Sequence, residues 1–264
     1  TDALWRWAPQ RMKGVIMTKH EKQIIAVSVT LAACLGVSFT ANAMHIMEGA
    51  LPAGYSIAWG LICLPFLLAG FFSIRRVLQE NRRALTLLAM SGAFVFVISS
   101  LKIPSVSGSC SHMTGTGLGA ILFGPAAMSV LGLIVLLFQA VLLAHGGLTT
   151  LGANTFSMAV AGPFVSYFLF SVLKRLPVNK KISIFLAAFL GDLITYCVTA
   201  FQLAIAHNSA TSFSAALREN MIIFAGTQLP LAVVEGILTV VVIIGLEAYA
   251  RPELKAVGFL KEEY

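Results

Sequence analysis

Pro104-Ser-Val-Ser-Gly-Ser-Cys-Ser-His-Met-Thr-Gly-Thr-Gly-Leu-Gly-Ala-Ile-Leu-Phe-Gly124 decides the fold, because the charges on either side of it balance only if the chain crosses a membrane within it. Of the 264 residues, 58% are apolar and 11% charged, against roughly 25% charged in a soluble domain. Disordered chains are poor in apolar residues and rich in charge, so this is an integral membrane protein. Apolar runs long enough to span, about 20 residues each, occupy 56–73, 84–101, 126–144, 155–173, 182–205 and 221–249. Basic residues mark cytoplasmic loops. Arg75, Arg76, Arg82 and Arg83 therefore fall inside, as do Lys174, Arg175, Lys180 and Lys181. Six spans would leave the second cluster outside, so a further crossing is needed between Pro104 and Pro125.

The first half of that stretch is too polar and too glycine-rich for a helix facing lipid. Irregular backbone at membrane depth survives only inside protein or against a water-filled cavity, and broken segments of this kind form binding sites in transporters. The expectation is an all-α integral membrane protein with about seven transmembrane helices after removal of a signal, a discontinuous third segment, the N-terminus outside and the C-terminus inside. Arg251, Lys255 and Lys261 in a cytoplasmic tail, 251–264, agree with that orientation. The formal charge of +7 does not point to nucleic acid, since no basic face interleaved with aromatics is present.

Ahead of the polytopic domain, 44–250, residues 17–43 read as a secretory signal: Lys19 and Lys22, an apolar stretch, then Ala41-Asn42-Ala43 as a small-residue cleavage site. On this reading Met17 is the initiator, 1–43 is removed and Met44 becomes the first residue. Retention as an anchor, or lipidation of Cys34 in Leu31-Ala32-Ala33-Cys34, are the competing readings. Cys63, Cys110 and Cys197 would remain, without the spacing of a disulfide framework or a zinc knuckle.

The topology gathers the unusual residues on the outer side: Met44-His45, the stretch with His112, the loop 145–154 and the loop 207–218. A freed α-amine at Met44, the amide nitrogen of His45 and its Nδ1 can close two small chelate rings around one ion, and His112 can fill the fourth position. Four nitrogens in a plane suit Cu(II) or Ni(II). Glu48, Ser111, His145 and Asn154 are candidates to support that site, although a histidine at the end of a helix more often caps it. Asp192 and Glu235 fall mid-span, where a charge costs about 2.5–3.5 kcal/mol on insertion scales. They suggest either a buried pair or the centre of a proton-coupled carrier. Gln139, Gln202 and Gln228 read as interhelical contacts. Neither a His-Glu-x-x-His pattern nor a phosphate-binding Gly-x-x-x-x-Gly-Lys-Ser/Thr loop occurs, which argues against a metallopeptidase and against ATP hydrolysis by this chain.

Three stretches resemble the CbiM family: Met44-His-Ile-Met-Glu-Gly-Ala-Leu-Pro52, the segment from Lys102 to Pro125, and Phe138-Gln-Ala-Val-Leu-Leu-Ala-His-Gly-Gly-Leu-Thr-Thr-Leu-Gly-Ala-Asn154. That family comprises the substrate-capture (S) components of cobalt energy-coupling-factor (ECF) transporters and is related to the nickel-binding NikM branch. The resemblance implies a multi-pass protein of the inner membrane that holds its metal through Met44, His45 and His112. It also implies a transmembrane partner subunit, a cytoplasmic ATPase pair and a small accessory membrane subunit, in an ATP-driven import system that feeds cobalamin synthesis. Donor geometry favours nickel, whereas the Met-His-Ile-Met-Glu-Gly opening resembles the cobalt branch; the longer motif decides for Co2+, with Ni2+ as the alternative.

Overall fold

The computed structural model describes residues 45–82, 84–104, 110–206 and 212–260, together with Gln23. Met44 and, Gln23 apart, the expected leader 1–43 lie outside the described residues. From Ala53 the chain forms α1 (Ala53–Glu80), entered through Pro52, whose fixed φ suits a helix start, then α2 (Ala84–Ser100). A small antiparallel ribbon follows, β1 (Lys102–Pro104) with β2 (Cys110–His112), in a register that sets Lys102 opposite His112. Next come α3 (Thr116–Phe123), α4 (Pro125–Leu143), α5 (Leu151–Leu173), α6 (Lys180–Ala206), α7 (Phe213–Tyr249) and the short α8 (Arg251–Ala256).

The architecture is a helical membrane bundle, with two departures from expectation. Among the described residues five helices are long and apolar enough to span a bilayer, α1, α4, α5, α6 and α7, rather than seven. The shorter apolar α2 has 17 residues, about 26 Å at 1.5 Å per residue, and the chain leaves it for the ribbon. The 104–124 stretch is broken as expected, but it supplies strands and an eight-residue helix, not a spanning helix. Ser111 to Leu122 is buried throughout, so this irregular backbone is enclosed by protein, as hydrocarbon surroundings require.

A second interruption was not foreseen. Within α5 the backbone is α-helical over Leu151–Asn154, π-helical over Thr155–Ala161 and α-helical again from Gly162. Single π turns inside α-helices recur at functional sites, and this one lies beside the histidines described below. The expected outer loop from 207 to 218 is also shorter than read: Ser212 caps α7, its hydroxyl accepting the Ala215 N–H, and the helix is under way from Phe213.

Helix packing follows small residues. A Cβ at Gly70 of α1 would lie 2.2 Å from the Ala126 carbonyl oxygen of α4, so only glycine permits that approach. The rest of α1 presents an apolar surface outward, including Ile57, Leu61, Leu68 and Phe72, as lipid contact demands. Around α3 the core is closed by Leu87, Leu118, Ile121, Phe170, Ile184 and Ile243. At the opposite end of the bundle from the histidines, Lys180 pairs with Glu247 at 2.5 Å and lies over the Phe259 ring.

Candidate metal centre

The segment ahead of α1 is pinned into the bundle by one asparagine. Asn154, in the last residue of α-geometry before the π stretch, accepts the Ile46 N–H at 2.9 Å and donates to the Ile46 carbonyl at 3.1 Å. The Thr150 hydroxyl donates to the same carbonyl at 2.5 Å. Ile46 and Leu51 bury their side chains against Ala153. These contacts fix the neighbouring His45, which is 6% exposed, with its imidazole directed into the bundle.

His112 arrives from β2. Its carbonyl accepts from the Tyr196 hydroxyl at 2.7 Å and the Gln228 amide at 3.1 Å. His145 arrives just after α4, which ends on Ala144 in the left-handed conformation. The His145 N–H donates to the Gln139 carbonyl at 3.1 Å, so the expected helix-capping is performed by its backbone. Its imidazole does something else. The His145 ring stands 4.3 Å from that of His45 and 5.0 Å from that of His112, centroid to centroid. One nitrogen from each of the three lies within 4.8 Å of the others, and all three residues are buried.

Hydrogen bonds set which nitrogens carry protons. The Gln139 amide N–H donates to the Ser99 hydroxyl at 2.7 Å, which turns its carbonyl oxygen toward His45 Nε2 at 3.2 Å. His45 therefore carries its proton on Nε2 and its lone pair on Nδ1. His112 donates from Nδ1 to the Met113 carbonyl at 2.9 Å, placing its lone pair on Nε2. His45 Nδ1 and His112 Nε2 are 2.8 Å apart. Imidazole nitrogens bind a divalent ion such as zinc at about 2.0–2.1 Å, so two of them at a right angle lie about 2.8–3.0 Å apart, and in a tetrahedron about 3.3 Å. The spacing is that of neighbouring corners of a square plane or an octahedron, and equally that of a hydrogen bond between the two rings. Partners that fix the tautomer of a ligating histidine are the usual support of such sites.

Beside the pair is a cavity of about 10 Å³ lined by Asn154, Ser157, Met158, Thr195, Tyr196 and Thr199, on the order of one water molecule. The π stretch supplies Ser157 and Met158 to it. Gly146, at φ +82°, lets the 145–150 loop pass His45; a Cβ there would sit 2.9 Å from the His45 Cβ.

Of the residues singled out from sequence, His45, His112 and His145 converge, and Met44 lies outside the described residues. Asn154 supports the site through the backbone of Ile46. Glu48 is exposed and takes Thr149 as partner; hydrogen bonding to Thr149, side chain first and then backbone, holds its carboxyl below the ordinary range despite some desolvation. Ser111 turns away, its hydroxyl bonding Thr227 at 2.5 Å. Asp192 and Glu235 are buried side by side and do not join the imidazoles; both accept from the Thr114 N–H, two residues from His112. Sequence reading missed the roles of Gln139 and Tyr196. The signal for Gln139 was its place as the lone amide side chain in an apolar span, whereas Tyr196 gave none.

A polytopic membrane bundle that folds its N-terminal segment inward to bring three buried imidazoles together defines a membrane protein built to capture a metal ion. Residues 45–254 match the family described as CbiM, cobalt uptake substrate-specific transmembrane region, and the chain belongs to that family. It is thus a substrate-binding subunit of an ECF-type transporter, not an enzyme, and a multi-pass protein of the inner membrane. It is 61% identical over 245 residues to the cobalt transport protein CbiM of Lachnoclostridium phytofermentans, covering 92% of this chain and 98% of that one. The cobalt transport protein CbiM of a Nostoc species is 50% identical, over 96% and 97% of the two chains. A crystal structure of a transition metal transporter superposes with a TM-score of 0.68 at 27% identity, covering 77% of this chain and 92% of that one.

Proposed function

We propose that the ion is held by the amine of a processed Met44, the amide nitrogen and Nδ1 of His45, and Nε2 of His112, with His145 closing the site beside that plane. The observation that carries this reading is the 2.8 Å approach of His45 Nδ1 to His112 Nε2, with both lone pairs turned inward by their other hydrogen bonds. The cargo is Co2+, as the relatives are cobalt transport proteins; the right-angled donor spacing equally suits Ni2+. On this reading 1–43 is removed, the N-terminus faces outward and the C-terminus inward. The 104–124 segment enters the bundle from outside as its discontinuous third segment. Uptake then requires a transmembrane partner, a cytoplasmic ATPase pair and a small accessory membrane subunit, and supplies cobalamin synthesis.

The test is N-terminal sequencing of protein extracted from membranes, combined with metal analysis of wild type and His112→Ala. A first residue of Met44, one cobalt per wild-type chain and loss of the ion on substitution are expected. Full retention by His112→Ala, or by protein with a blocked or extended first residue, contradicts the proposal.

A further inference from the structure

One turn deeper than the histidines, α6 and α7 bring two acids together. Asp192 is 1% exposed and Glu235 fully buried, and their carboxyl groups stand side by side, both accepting from the Thr114 N–H. Two buried carboxyls sharing one site do not both ionise, so the pair carries at most one negative charge. Among the described residues neither is in an ion pair.

Their other bonds converge on the backbone just after His112. The Thr114 N–H donates to Glu235 Oε2 at 2.6 Å and, at 3.3 Å, to Asp192 Oδ1. The Thr114 hydroxyl donates to Glu235 Oε1 at 2.9 Å. Gln228 donates from its amide both to Asp192 Oδ2 and to the His112 carbonyl, and Tyr196 donates to that same carbonyl. Residues 112 and 114 are thus held from α6 and α7 together. Glu235 receives the shorter of the two Thr114 N–H bonds and the Thr114 hydroxyl, while Asp192 receives the Gln228 amide.

We infer that Asp192 and Glu235 are positioning residues for metal capture: holding one proton between them, they clamp Thr114 and, through Gln228, the carbonyl of His112, and so set where the His112 imidazole stands relative to His45. The inference rests on His112 being a ligand, as proposed above. It assigns the buried acids a fixed proton, where a proton-coupled carrier needs one that comes and goes. Asparagine at 192 supplies an N–H where a protonated carboxyl supplies an O–H, and keeps an oxygen for Gln228. Alanine supplies neither.

The full chain, purified in detergent, is titrated with Co2+ by equilibrium dialysis, and the ligand-field absorption of the complex is recorded. Thermal melting of the metal-free protein accompanies each variant. Asp192→Asn is expected to bind within about 3-fold of wild type with an unchanged band. Asp192→Ala and Glu235→Ala are expected to lose about 10-fold or more, the scale seen when partners of metal ligands are removed, and to shift the band. Gln228→Ala keeps both acids and removes only the link to His112; it is expected to shift the band even if the alanine variants at the acids do not fold. Wild-type affinity and spectrum in folded Asp192→Ala, Glu235→Ala or Gln228→Ala overturn the inference, and so does an Asp192→Asn protein as impaired as Asp192→Ala. His112→Ala separates the two levels: if it binds like wild type, the capture site itself fails. If it loses cobalt while the clamp variants do not, only the clamp fails.

Discussion

Replacing Gln139 with leucine removes the acceptor facing His45 Nε2 while leaving every imidazole in place. In the native structure the Gln139 carbonyl oxygen takes the His45 Nε2 proton at 3.2 Å, and the amide is oriented by Ser99 at 2.7 Å. Ser99 keeps a second partner, the Val95 carbonyl, so the substitution strands little else. Without the acceptor, His45 is free to carry its proton on Nδ1, the atom facing His112. Loss of such a partner costs about 10- to 100-fold in metal affinity, or about 1.4–2.7 kcal/mol. Equilibrium dialysis with Co2+ on detergent-purified protein reads that loss directly, with melting of the metal-free form as the control for folding. Gln139→Glu restores an acceptor and should recover most of the affinity. A folded Gln139→Leu protein within 2-fold of wild type would refute the tautomer argument.

Two further outcomes follow from the loop that covers the site. Gly146→Ala forces an L-residue into φ +82° and pushes a methyl to 2.9 Å from the His45 Cβ; about 1–3 kcal/mol of destabilisation is expected, read as a lower melting temperature, together with weaker cobalt retention. The Glu48 carboxyl, held below its ordinary value of 4.5 by Thr149, contributes its tie to the loop above that pH and loses it as pH falls through the lowered folded value. Melting curves of wild type and Glu48→Gln should therefore differ at neutral pH and converge in acid, with cobalt stoichiometry at neutral pH unchanged by the substitution.

The spans were legible because lipid imposes a simple rule: long apolar runs with few charges. α4 and α6 begin and end within a few residues of the reading. That rule says less where the chain is surrounded by protein. The polar, glycine-rich composition of 104–124 marked it as irregular, whereas the charge count asked for a full crossing there; the ribbon and short buried helix among its described residues follow from neither. The π stretch at Thr155–Ala161 is equally silent, since its residues are ordinary helix formers and the extra residue per turn is set by packing. α7 was read as starting too late because the eight residues from Phe213 are less apolar than those that follow, although Ser212 is a recognisable cap.

For the site, His45 and His112 were visible because a histidine beside the expected small-residue cleavage site and another in a serine-glycine stretch lie on the same predicted side. His145 was half legible: proximity to a helix end suggested a cap, and its N–H does cap, but where its ring points depends on Ala144 and Gly146. Gln139, Tyr196 and Thr114 act through contacts with residues tens of positions away. Their roles exist only once α4, α6 and α7 are assembled around the imidazoles.

X-ray absorption at the cobalt edge of the loaded, purified protein measures the ligand set itself. The account predicts a shell of nitrogen donors with the outer-shell scattering of two or three imidazoles in the wild type, and no bound cobalt to give such a shell in His112→Ala. A shell of oxygen or sulfur donors, or an imidazole count that His112→Ala leaves unchanged, contradicts it.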